Sequence, residues 1–148
     1  EYVRNVYSPQ LDDVRDLVVY VPPSYDENPY KQYRNPILMH DGENLFNAST
    51  SFGGIAWRCD TTVDTLVAEG NMEEVVIVGV NNDINRTAEY TYSKDPTYGG
   101  GDAKPYLDFL EQTVLPLAAK RYRVPLPSQR RWGMIGSSLG GLLSCYAG

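Results

Sequence analysis

The chain has 148 residues, enough for one core of ordinary domain size. A formal net charge of −6 argues against nucleic-acid binding, and no apolar run approaches the roughly 18 residues of a membrane span. With 42% hydrophobic and 22% charged residues, the composition is that of a soluble globular protein.

In chain order, Tyr2 to Tyr7 alternates weakly and reads as an edge strand, and Asp12-Asp13 as a turn. Leu17 to Val21 is a strong β run that Pro22-Pro23 ends. Ser24 to Asn35 is a polar loop. Pro36 to Met39 is a short apolar run, predicted as a buried strand, and its end turns abruptly polar at His40-Asp41-Gly42-Glu43-Asn44. Asn47 to Trp57 is a loop rich in Ser, Thr and Gly. Asp60 is the predicted N-cap of a helix carrying Val63, Leu66 and Val67 at helical spacing and closing at Gly70. Val75 to Val80 is apolar without alternation, the pattern of a central parallel strand covered on both faces. Asn81 to Gly101 shows no periodicity, and loops of that length are usually functional or mobile. Pro105 suits a first helical turn, Leu107, Leu110, Val114 and Leu117 make one stripe, and Pro116 should kink it. Arg131 to Gly136 is the last predicted strand. This order predicts an α/β fold with a mainly parallel sheet and helices on both faces.

The chemistry concentrates at Gly136-Ser137-Ser138-Leu139-Gly140, a Gly-x-Ser-x-Gly string between an apolar strand and an apolar, small-residue helix. In that context the turn is strained and its central serine stands exposed at the positive end of the following helix. Ser138 is therefore the predicted nucleophile, with Ser137 pointing away from the site. A serine hydroxyl needs a base, an orienting carboxylate and donors for the oxyanion. The backbone N–H of Leu139 is one donor. The loop after the Ile37–Met39 strand reaches the same sheet edge and supplies the other, Glu43 first and Gly42 next. The single histidine, His40, precedes the serine by far, whereas in this architecture the base follows it. A structural role for His40, holding the oxyanion loop by a hydrogen bond, fits better. The acid and the base are expected outside this chain, which reads as the N-terminal part of a single domain ending just after the elbow. The complementary C-terminal polypeptide is then the expected partner, as a separate chain or as the rest of a precursor.

Neither a metal nor a cofactor is expected, since Cys59 and Cys145 lack metal-ligand spacing. Cys145 is expected as a buried free thiol, with a disulfide left open. Two sequons, Asn47-Ala48-Ser49 and Asn85-Arg86-Thr87, together with a first residue other than Met, lean toward secretion.

The string His40-Asp41-Gly42-Glu43-Asn44-Leu45-Phe46 resembles the post-strand motif of the Putative esterase family, which includes esterase D and the enterochelin esterases. Gly54-Ile55-Ala56-Trp57, Val78-Gly79-Val80-Asn81-Asn82, Arg86 with Glu89-Tyr90-Thr91, Gly99-Gly100-Gly101, Tyr106 to Leu110, Tyr122-Arg123 and Gly136 to Gly141 continue the resemblance in order. It implies an α/β-hydrolase fold, incomplete in this chain, and hydrolysis of a small-molecule carboxylic ester through an acyl-enzyme on Ser138. Acyl transfer on the same fold is the alternative reaction, and a non-catalytic binding or structural relative is the alternative class. Arg86 and Glu89 are candidate substrate-binding residues, with a mutual ion pair as the other reading. Trp57 is a candidate pocket wall or a core residue.

Overall fold

The computed structural model describes residues 1–129 and 131–148. Its strands are β1 (Tyr2–Ser8), β2 (Asp13–Tyr20), β3 (Ile37–His40), β4 (Ile77–Val80) and β5 (Gly133–Ile135), in the sheet order β1-β2-β4-β3-β5. β3 lies parallel to both β4 and β5, while the β1–β2 hairpin joins the sheet through an antiparallel β2–β4 pair. The α/β expectation therefore holds, with the parallel strands at the centre.

Side chains alternate across a strand, so a continuous apolar run must be covered on both faces. Val76, Val78, Val80 and Leu38 pack into one core with Phe109, Leu110 and Val114. Val75, Ile77 and Met39 point the other way and pack with Leu45 and Val63. The helices supplying these covers are α1 (Cys59–Ala68) on the second face and α3 (Ala103–Phe109), α4 (Leu115–Arg121) and α5 (Leu139–Ala147) on the first. A short helix, α2 (Arg86–Glu89), lies within the long segment after β4.

Several local expectations shift. Helix α1 begins after Arg58, which is left-handed at φ 57°, and Asp60 lies in the first turn rather than at the cap. There its carboxylate still complements the positive end of the helix. Gly70 follows the C-cap with φ +72°, as the helix stop requires. The predicted kink at Pro116 is a π-helical turn, Leu110–Val114, in which the Leu115 N–H reaches back to the Leu110 carbonyl. Proline cannot donate to the preceding turn and its ring crowds the carbonyl four residues back, so the wider turn takes up the strain. The extra residue per turn also rotates the stripe. Tyr106, Phe109, Leu110, Val114 and Ala118 are buried, whereas Leu107 and Leu117 are only partly so.

The parallel register places Met39 beside Ile135 and His40 beside Val80. The segments leaving β3, β4 and β5 thus emerge together at one edge of the sheet, where open α/β sheets place their sites.

Candidate active site

Ser138 has φ 54° and ψ −120°, a backbone conformation that non-glycine residues hold only when the surroundings impose it, and it caps the N-terminus of α5. The surroundings here are the turn's own backbone at Gly136 and the His40 side chain at Gly140. A Cβ on Gly136 would stand 2.4 Å from the Gly140 carbonyl carbon, and a Cβ on Gly140 would stand 3.2 Å from the His40 Cβ. The turn closes this tightly only with glycine at position 136, and a side chain at Gly140 would press on His40.

The loop after β3 is shaped by Asp41, also left-handed at φ 57°, which turns the chain into one tight helical turn, Gly42–Asn44. Asn44 N–H donates to the Asp41 carbonyl at 2.9 Å and Leu45 N–H to the Gly42 carbonyl at 3.2 Å. The N–H groups of Gly42 and Glu43 open that turn, where helical turns leave donors unpaired. Gly42 packs on the end of β4, since a Cβ there would meet Asn81 Oδ1 at 2.6 Å and the Gly79 carbonyl carbon at 2.9 Å. The Asp41 carboxylate accepts from Arg86 Nε at 2.6 Å, Arg86 Nη2 at 2.8 Å and Asn82 Nδ2 at 2.7 Å. The pairing with Asp41 raises the Arg86 pKa, so this guanidinium is a permanent cation.

Between the elbow and this loop opens a cleft of about 660 Å³, whose lining includes Ser137, Ser138, Glu43, Phe52, Trp57 and Arg86. Its aromatic side is held by Asn44. The side-chain oxygen accepts the Phe52 N–H at 2.6 Å and the carbonyl accepts the Trp57 N–H at 2.8 Å. Thr50 Oγ1 donates to the Glu43 carbonyl at 2.7 Å and ties the same segment to the post-β3 loop.

The structure thus brings Ser138, Glu43, Arg86 and Trp57 to one cleft, and Trp57 lines a pocket rather than the core. Leu139 follows Ser138 as the first residue of α5, and its N–H is among those a helix start leaves unpaired. Gly42 is buried behind the cleft. Two expectations are corrected. Glu89 is buried and its Oε1 accepts from Arg15 Nη2 at 2.5 Å, away from the cleft lining and without pairing to Arg86. Cys145 is exposed on α5, and both it and Cys59 are free thiols. Asp41 and Asn82 were not singled out as side chains. Their signal is a run of polar residues directly after each buried strand.

His40 is fully buried, 5.2 Å from the Tyr90 ring and 5.9 Å from the Tyr106 ring. Neither ring nitrogen has a hydrogen-bond partner among the described residues, so it supports the site by packing and not by the expected hydrogen bond. Burial pushes its pKa down to about 4, with Arg86 adding to the drop and Asp41 opposing it. The folded value lies below that of the unfolded chain, so the unfolded state takes the proton first as pH falls. Stability from this residue is complete above about pH 6.5 and declines toward pH 4, by about 3 kcal/mol in all. Denaturant unfolding at pH 7 and pH 4.5 should show this decline in the wild type and lose it in His40→Phe. Parallel decline in both proteins would refute a neutral buried imidazole.

The sequence model of the family described as Putative esterase matches residues 8–148. Among curated proteins, YbbA of Bacillus subtilis is 29% identical over 141 aligned residues, covering 90% of this chain and 50% of that protein. This chain therefore spans about half the length of that relative. An IroE-like serine hydrolase from Shewanella oneidensis superimposes with a TM-score of 0.76 at 24% identity, covering 99% of this chain and 45% of that one. The enterobactin esterase FES from Shigella flexneri, in the presence of enterobactin, gives 0.73 at 17% identity, covering 100% and 33%. These two likenesses carry the fold, an α/β sheet of the esterase type. With the family match running from Ser8 through the elbow to Gly148, the chain belongs to the Putative esterase family.

Proposed function

We propose that this chain carries the nucleophile and oxyanion side of a serine esterase. The observation that carries the reading is Ser138, held at φ 54° and ψ −120° on the N-terminus of α5 and opening on the cleft. Its oxygen attacks the ester carbonyl while a base takes its proton. The alcohol leaves with that proton, and water then releases the acid from the acyl-enzyme. The developing oxyanion is held by the N–H groups of Leu139 and Glu43, with Gly42 next in line. Trp57 and Phe52 wall the acyl or alcohol group, and Arg86 borders it.

His40 does not serve as the base, because it is fully buried and neither ring nitrogen has a hydrogen-bond partner, Ser138 included, among the described residues. The acid and the histidine belong to polypeptide outside these residues. Exposed Ile135, Leu142 and Tyr146 on β5 and α5 support a covering segment on that side. Ester hydrolysis is further supported by the family match and by fold neighbours that include a ferulic acid esterase and a siderophore hydrolase.

A fluorophosphonate probe on the intact protein should label Ser138, as read by peptide mapping. Ser137 borders the same cleft and is the control. An adduct on Ser137, or none at all, would overturn the assignment.

A further inference from the structure

The charged residues lining the cleft, among those described, are Asp41, Glu43 and Arg86. Arg86 is spent on Asp41, gripping both of its carboxylate oxygens at 2.6 and 2.8 Å. That pair is close to neutral as seen by a substrate. Among the described residues, Glu43 has no cation of its own. Its Oε2 accepts the Asn82 N–H at 3.1 Å, and its Oε1 accepts from Asn82 Nδ2 at 2.7 Å and Asn44 Nδ2 at 3.2 Å. These are dipoles, which hold the carboxylate in place without cancelling its charge.

We propose that Glu43 makes this cleft select against anionic esters: it presents an unneutralised carboxylate to the substrate, so uncharged and cationic acyl or alcohol groups enter and carboxylate-bearing ones are turned away. The inference rests on reading the cleft as the ester site. A half-buried charge is screened less than one in open water, so repulsion reaches across the cleft. Discrimination by an unfavourable charge is a common route to specificity. Burial raises the Glu43 pKa, with Asp41 adding to the rise and backbone N–H groups and Arg86 opposing it, so the discrimination should fade toward acid pH.

The test needs no turnover. In the intact protein carrying Ser138→Ala, binding of 4-nitrophenyl butyrate and of 4-nitrophenyl hemisuccinate is read by quenching of tryptophan fluorescence, Trp57 lying in the cleft wall. The hemisuccinate should bind about tenfold more weakly at pH 7, and Glu43→Gln should close the gap. A 4-nitrophenyl ester with a trimethylammonium acyl tail should bind at least as well as the butyrate, a comparison that requires no change at Glu43. Equal affinity for the three esters overturns the inference, as does a gap that survives Glu43→Gln. Binding of none of them overturns the reading of the cleft as an ester site, and this inference with it.

Discussion

Ser138→Ala is expected to lower kcat/KM of the intact protein for an aryl ester by about 10⁴-fold or more while leaving stability within about 0.5 kcal/mol of wild type. The size of the loss follows from what the hydroxyl does. It forms the bond that splits one difficult displacement into two easier ones, and only oxyanion donors and binding remain without it. The small stability effect follows from the geometry. Ser138 is exposed at the mouth of the cleft, and its strained backbone is imposed by the contact between Gly136 and Gly140. Alanine inherits the same backbone strain. Steady-state kinetics and thermal unfolding on one preparation read both quantities. A residual rate within tenfold of wild type would place the nucleophile elsewhere. A large fall in stability would show that the hydroxyl is a structural group.

Arg15→Ala is expected to destabilise the protein by about 3–5 kcal/mol. Arg15 is 3% exposed and joins three carboxylates: Asp13 at 2.7 Å, Asp83 at 3.0 Å and the buried Glu89 at 2.5 Å. Removing the guanidinium strands Glu89 without a cation. Burial already raises the Glu89 pKa, with Arg15 opposing that rise, so the variant raises it further. A carboxyl whose folded pKa lies above its unfolded one loses stability as pH rises through that interval. The cost of Arg15→Ala should therefore be smallest in acid and grow toward neutral pH. Adding Glu89→Leu to Arg15→Met should recover part of the loss, because the stranded charge is gone. Denaturant unfolding at pH 5 and pH 7.5 checks both trends. A loss under 1 kcal/mol, or one independent of pH, would show that water reaches Glu89. The network also matters for the cleft. Glu89 and Arg86 sit on the same short helix, so the bond to β2 positions the guanidinium that grips Asp41.

How much was legible in the chain alone follows from the range of the forces involved. Gly136 specifies its part of the turn locally, because a Cβ there would collide with the Gly140 backbone four residues on, whereas the space at Gly140 is set by the His40 side chain, distant in the chain. Val75 to Val80 announces a strand buried on both faces, because every side chain in the run is apolar. The abrupt change to polar residues after β3 marked the edge where the cleft opens. What lay beyond reach was the choice of partners. Arg86 and Glu89 are neighbours on one helix, so a mutual pair was a natural reading, yet each finds its counterion 45 and 74 residues away. The sheet order β1-β2-β4-β3-β5 sets β2 and β3 on either side of β4 and so delivers Arg15 to Glu89 and Asp41 to Arg86. Cys145 was misjudged for a related reason, whereas Leu107 and Leu117 do pack against the core, half-buried at its margin. Periodicity reveals that a helix has an apolar face, but the phase of that face depends on the π turn before Pro116 and on what each helix meets. His40 shows the same division. Its position far before the serine argued against it as the base, but only the packing of Tyr90 and Tyr106 around its ring decided that it is a buried wedge whose ring nitrogens have no hydrogen-bond partner among the described residues. Local sterics act between neighbours and can be read in order along a chain, whereas ion pairs and helix phase are settled by which elements the fold sets side by side.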